Sequence, residues 1–177
     1  MERKAGKARD PLVTSKMMAA VRNKNSRAEL ALRHALHAYG FRYRLHVRSL
    51  PGLPDLVLSR YRGVVFVDGD LWHGNAWRVR GLARIEDLFP HRTEWWVSKI
   101  NRNIERDREV DLALTSAGWR VIRVWESDVL KNVDLVAGLV AEKLRTDQKV
   151  GDSKRHQIHQ SPLSGNVSHS VKMGHCC

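Results

Sequence analysis

The clearest pattern along the chain is an alternation of helical and extended hydrophobic spacing. Met17, Met18 and Val21 fall on one side of a short helix predicted over 15–23. Ser26 with Glu29 three residues later forms a capping box. It opens a helix that runs to about Tyr39, with Leu30, Leu32 and Leu36 on its buried side and Gly40 as its stop. Phe41 to His46 alternates apolar and basic residues, which predicts a half-buried strand. Two short apolar runs follow, Leu56–Leu58 and Val64–Val67, joined by the polar turn Ser59–Gly63. They predict a hairpin whose second strand, apolar on both faces, is central in its sheet. The stretch 72–90 lacks periodicity and reads as a long functional loop. Trp96, Ile100 and Ile104 recur every four residues in a long helix predicted from Thr93 to Ala117, and Gly118 ends it. Trp119–Trp125 predicts a strand, and an amphipathic helix is expected over 130–144. The order predicts an α/β sandwich around a central mixed sheet flanked by helices.

The hairpin also gathers the chemistry. Asp55 begins its first strand, and Asp68 and Asp70 follow the end of its second, with His73 just beyond. Antiparallel pairing brings the start of one strand beside the end of the next, so these groups are expected to converge. Such a cluster suits a hard divalent cation, which takes oxygen ligands and keeps several waters. Asp55 and Asp68 are the expected carboxylate ligands and the Val67 carbonyl a third. Asp70 either adds a carboxylate or points away. Two ions sharing Asp55 could stabilise both the attacking and the leaving oxygen of a phosphodiester cleavage. His73 is a candidate general base or general acid. Glu29 either caps its helix or serves the site from the other side.

Composition narrows the partner. The 177 residues carry a formal net charge of +12, which favours a polyanionic partner such as double-stranded DNA over a merely soluble basic protein. No long apolar segment suggests a membrane, and the basic N-terminus is followed by no apolar stretch, so a cytoplasmic, nucleoid-associated protein is expected. The only cysteines, Cys176 and Cys177, are adjacent and cannot staple a fold. Three regions are expected: a flexible basic arm over 1–12, one domain over 13–146, and a disordered tail rich in Ser, Gly and His over 147–177. Lys99, Arg102 and Arg106 share a face of the long helix and could follow one phosphate strand. With Glu105, Asp107, Glu109 and Asp111 on the same helix, part of it reads as a solvated ion-pair face. Lys16 and the basic arm could grip flanking duplex. Trp72 is a candidate for stacking on a base; Trp96 could do the same or pack in the core.

The segments PDLVL, VVFVDGDLWH, RTEWWVSKI with NIERD following, and GWRVIRVWE occur in that order over roughly two-thirds of the chain. This set resembles the very short patch repair (Vsr) endonucleases, part of the PD-(D/E)xK nuclease class. The resemblance implies a restriction-endonuclease-like fold and Mg²⁺-dependent nicking of DNA 5′ of the thymine in a T·G mismatch. It implies that Asp55 is the essential metal-binding aspartate, that His73 is catalytic, and that Glu29 orients metal-bound water. Trp72 and Trp96 match aromatics that wedge between base pairs, and Leu71 stands where a third wedge is expected. Other mismatch-repair proteins are implied as partners, and a monomer is expected rather than a dimer.

The departures are specific. Asp68 stands where the family places a histidine, and Asp70 where it places a cysteine. The positions of the family's structural zinc ligands read here as Asp70, Asn75, Trp77 and Ser127, a set without thiolate or imidazole, so no zinc is expected. The loop after the hairpin is then expected to be held by packing of Trp77 and Phe89. Two alternatives remain beside mismatch nicking: a restriction-type endonuclease on matched or modified duplex DNA, and a catalytically inactive DNA-binding module.

Overall fold

The computed structural model describes residues 25–146. The helix expected over 15–23, Lys16, the basic arm and the tail lie outside the described residues. Helix α1 spans Arg27–Ala38 and starts with the capping box: Glu29 N–H donates to Ser26 Oγ (3.1 Å), and Ser26 N–H donates to Glu29 Oε2 (3.2 Å). Strands β1 (Leu56–Leu58) and β2 (Gly63–Asp68) form the expected hairpin, pairing Leu56 with Val65 and Leu58 with Gly63. A short helix α2 (Ala76–Val79) and a 3₁₀ turn (Ile85–Leu88) give the long loop some structure of its own. Helix α3 spans Thr93–Ser116, and strand β3 (Arg120–Trp125) then returns parallel to β2.

Order β1-β2-β3 puts β2 in the centre of a mixed sheet, as its apolar faces require. Side chains alternate between two cores. Leu56, Leu58, Val65 and Ile122 pack with α1 and the C-terminal helices. Val57, Val64 and Phe66 pack on the opposite face with Leu114 of α3. The result is helix, sheet, helix: the three-layer α/β sandwich.

Two expectations about elements are corrected. Phe41–His46 is not a strand; it makes one bridge, Arg44 to Val57, through two backbone hydrogen bonds of 2.9 Å. His46 has φ +52, which turns the backbone out of strand geometry, while buried Phe41 anchors the segment beneath α1. The last helix is two. Helix α4 (Glu126–Lys131) begins directly after β3, Asn132 interrupts with φ −156, and α5 covers Val133–Thr146. Asn132 Oδ1 accepts from Leu135 N–H (3.0 Å), so the break is itself a cap for α5.

Candidate active site

Parallel pairing of β2 and β3 brings their C-terminal ends together, Asp68 opposite Trp125. The chain leaves both strands there, and a cleft of about 480 Å³ opens beside them. Its walls include Glu29 from α1, Val67 and Gly69–His73 after β2, Asn103 and Arg106 from α3, and Glu126 after β3.

Glu29, on the wall of this cleft, meets Asp55. The β1–β2 ladder ends at Leu56, leaving the Val67 N–H without a strand partner; it donates instead to Asp55 Oδ2 (2.8 Å). Burial, then a hydrogen bond to Glu29 and the charge of Glu29, push the Asp55 carboxyl up to about 8, against the pull of the Val67 N–H and Arg33. Glu29 is buried and also accepts from Arg33 Nη2 (3.1 Å). It closes the capping box, as expected, and also stands beside Asp55.

The expected four-way convergence does not form. Asp68 is buried with both carboxylate oxygens on Arg123 Nη1, at 2.8 and 3.0 Å. Burial raises its pKa, while His73 and Arg123 oppose the rise. Asp70 accepts from Ser127 N–H (3.0 Å) and Ser127 Oγ (2.8 Å), and from Asn75 Nδ2 (2.6 Å). Among the described residues, no three His, Cys, Asp or Glu side chains gather into a ready metal cage. The reason is geometric. Asp68 is the last residue of β2 and lies on the α3 side with Phe66; Asp70 sits past the strand in a turn.

His73 is brought in by different means. The turn after β2 is closed by Trp72 and His73 N–H groups on the Gly69 carbonyl (3.1 and 3.2 Å). Gly74 then takes φ +84 and lies against α3, where a Cβ would stand 2.8 Å from Ile104 Cδ1. This close approach seats the ring on α3: His73 Nδ1 is 2.5 Å from Asp107 Oδ2 and 3.7 Å from Asp68 Oδ1. Asp107 and Asp111 are thus not the solvated ion-pair face expected of them; they turn toward His73 and Arg123, and only Glu105 makes an exposed pair, with Arg108 (3.1 Å). Sequence reading passed over Asp107, Arg123 and Glu126. The available signal for Arg123 was a cation at a strand position that alternates with core residues, and for Glu126 its place at the exit of a strand parallel to β2.

The aromatic residues form a rim. Trp72 and Trp96 have ring centroids 6.2 Å apart, Phe89 stacks on Trp96 at 5.2 Å, and Trp95 meets Trp96 edge-on at 4.7 Å. The Lys99 ammonium lies 5.0–5.6 Å from the rings of Trp72, Trp95 and Trp96. Leu71, Trp72 and Arg106 line the cleft, whereas Arg102 lies in a separate shallow groove with Glu94 and Glu105. The loop itself is held mainly by the Asp70–Asn75–Ser127 bonds and by Asn103 Nδ2 donating to the Trp72 carbonyl (3.1 Å). Phe89 contributes its stack, but Trp77 packs against Arg78.

Comparison with known proteins places this geometry. Residues 8–79 match the family model described as DNA mismatch endonuclease Vsr. The DNA mismatch endonuclease Vsr of Escherichia coli K12 is 34% identical over 135 residues, covering 76% of this chain and 83% of the relative. The chain belongs to the Vsr endonuclease family. Two further relatives are Type II nicking enzymes. V.NmeDIP of Neisseria meningitidis serogroup C is 41% identical over 138 residues, 78% of this chain and 90% of the relative. V.HpaIIP of Haemophilus parainfluenzae is 42% identical over 116 residues, 66% and 79% respectively. No helix among the described residues is long and apolar enough to cross a membrane.

Proposed function

We propose that this Vsr-family endonuclease nicks one strand of duplex DNA by Mg²⁺-dependent hydrolysis at T·G mismatches. The observation that carries the reading is the Asp55–Glu29 pair, whose Glu29 lines a cleft shared with His73. Two carboxyls confined together, one held up to about 8, are a pair that a cation between them would relieve. Asp55 and the Val67 carbonyl would hold Mg²⁺, with Glu29 beside them, a small oxygen set of the kind Mg²⁺ takes. The ion would supply charge neutralisation on the cleaved phosphate. Asp68 and Asp70, committed to Arg123 and Ser127, are not ligands in this reading. No zinc is needed either, because three of the four positions in question are bonded to one another.

The protein's own groups perform the rest. Asp107 takes the Nδ1–H of His73, which leaves the Nε2 lone pair for a proton of the attacking water. Arg106, exposed on the cleft wall, meets the phosphate backbone, and Lys99 and Arg102 extend that contact along α3. Trp72, with Leu71 and Trp96, wedges into the stack next to the mismatch. One Asp55–Glu29 pair per chain suits a monomer cutting one strand. The reading places the protein in the cytoplasm on nucleoid DNA, alongside other mismatch-repair proteins.

The test uses end-labelled duplexes that differ only at one base pair. With Mg²⁺, a single nick 5′ of the thymine in T·G is expected, and none in EDTA or with Asp55→Ala. Equal cutting of perfectly matched DNA would remove the mismatch reading and leave a restriction-type nuclease. Retained T·G binding without any cleavage by the wild type would leave a binding module.

A further inference from the structure

Arg123 is a cation in the middle of a strand, beside Phe66 across the β2–β3 ladder and with its guanidinium carbon 4.4 Å from that ring's centre. An apolar residue would fill this position without the desolvation that even a partly buried guanidinium incurs. What the charge does instead is visible in its bonds. Nη1 holds both oxygens of Asp68, Nε holds both oxygens of Asp111 (3.0 and 3.2 Å), and Nη2 lies 3.5 Å from Asp107 Oδ1. The other Asp107 oxygen is the one on His73 Nδ1.

Two carboxylates therefore stand near one ring nitrogen, Asp107 at 2.5 Å and Asp68 at 3.7 Å. Arg123 engages both oxygens of Asp68 through Nη1 and meets Asp107 only at Oδ1, so Asp107 Oδ2 is turned to the ring proton. It also ties α3 to the sheet at Asp107 and Asp111, so the distance from Asp107 to His73 is set by its planar fork. We propose that Arg123 is a positioning residue for the nicking reaction: by gripping Asp68, Asp107 and Asp111, it selects Asp107 as the partner of His73 and fixes which ring nitrogen faces the DNA. This rests on the catalytic reading of His73 given above. It also gives Asp68 a role: it is the counter-charge that keeps Arg123 in place.

The experiment compares wild type, Arg123→Lys, Asp111→Asn and His73→Gln. Four quantities are read: the single-turnover nicking rate at saturating T·G duplex and Mg²⁺, the DNA Kd in EDTA, Tm, and the imidazole ¹⁵N shifts, assigned against His73→Gln. Lysine keeps the charge and loses the fork. Arg123→Lys should nick about 10²-fold slower, the lower end of what a positioned acid–base group contributes, with Kd within about twofold of wild type. His73 should change from one Nδ1–H tautomer to a mixture. Asp111→Asn, which touches only the outer edge of the fork, should slow nicking about fivefold by the same route, and it decides the matter if Arg123→Lys does not fold. Unchanged rate and tautomer in a folded variant, with His73→Gln inactive, would overturn this inference alone. Wild-type nicking by His73→Gln would overturn the catalytic reading of His73 and this inference with it.

Discussion

Replacing Asp107 with asparagine perturbs the site while keeping its shape. The wild-type bond to His73 Nδ1 is short and charge-assisted, and its side chain is one-fifth exposed. Such bonds are worth about 1.5–3 kcal/mol. If that energy is realised as the imidazole takes a proton, its loss slows the chemical step by roughly 10- to 10²-fold. The amide can also turn its NH₂ toward Nδ1, which forces the ring proton onto Nε2 and moves the loss toward the upper figure. Stability should barely change, because the substitution removes one of three carboxylates sharing a single guanidinium. The assay is single-turnover nicking at saturating T·G duplex, with Kd measured separately in EDTA. A rate within twofold of wild type, or a loss that follows Kd, would refute the assignment of Asp107 to His73.

Three other outcomes are expected. Trp72→Ala should weaken T·G binding by about 1–3 kcal/mol, the usual worth of a base stacked on an aromatic, with Tm nearly unchanged; gel-shift titration measures it, and unchanged affinity would return Trp72 to a purely structural role. Asp70→Asn should lower stability by about 1.5–3 kcal/mol through its bonds to Ser127 and Asn75, while zinc or chelator leaves the wild-type melting curve unmoved. In EDTA, Asp55 holds its proton in the fold up to about 8 but releases it near 3.8 when unfolded. Its contribution to stability should therefore fall by up to about 1.4 kcal/mol per pH unit as pH rises through that window. Mg²⁺ should offset the fall, and Asp55→Asn should flatten it in chemical denaturation curves.

Much of the fold was legible because local signals agreed with tertiary need. Ser26 and Glu29 carry a capping box that formed, and the apolar run Val64–Val67 demanded two covered faces and got them. Phe41–His46 misled because alternation alone cannot register the positive φ at His46. Asn132 likewise divides what periodicity reads as one helix. At the site, hairpin spacing put Asp55 beside Val67 as expected, yet it could not say where the other carboxylates turn. That is decided by Arg123, 55 residues beyond Asp68, and by Ser127, 57 beyond Asp70. Neither partner has a spacing signature. Asp107 was hidden for the same reason: on a helix dense with charge, only the seat of His73 against Gly74 and Ile104 shows which acid faces inward.

The acidic residues divide into three tasks: Asp55 with Glu29 for the cation, Asp68 with Asp107 around Arg123 for His73, and Asp70 for the loop. Anomalous diffraction from crystals soaked in Mn²⁺ tests that sorting most directly. One peak is predicted about 2 Å from the Asp55 carboxylate, with Asp68 still on Arg123 and Asp70 still on Ser127. A peak coordinated by Asp68 or Asp70, or none at Asp55, would contradict it.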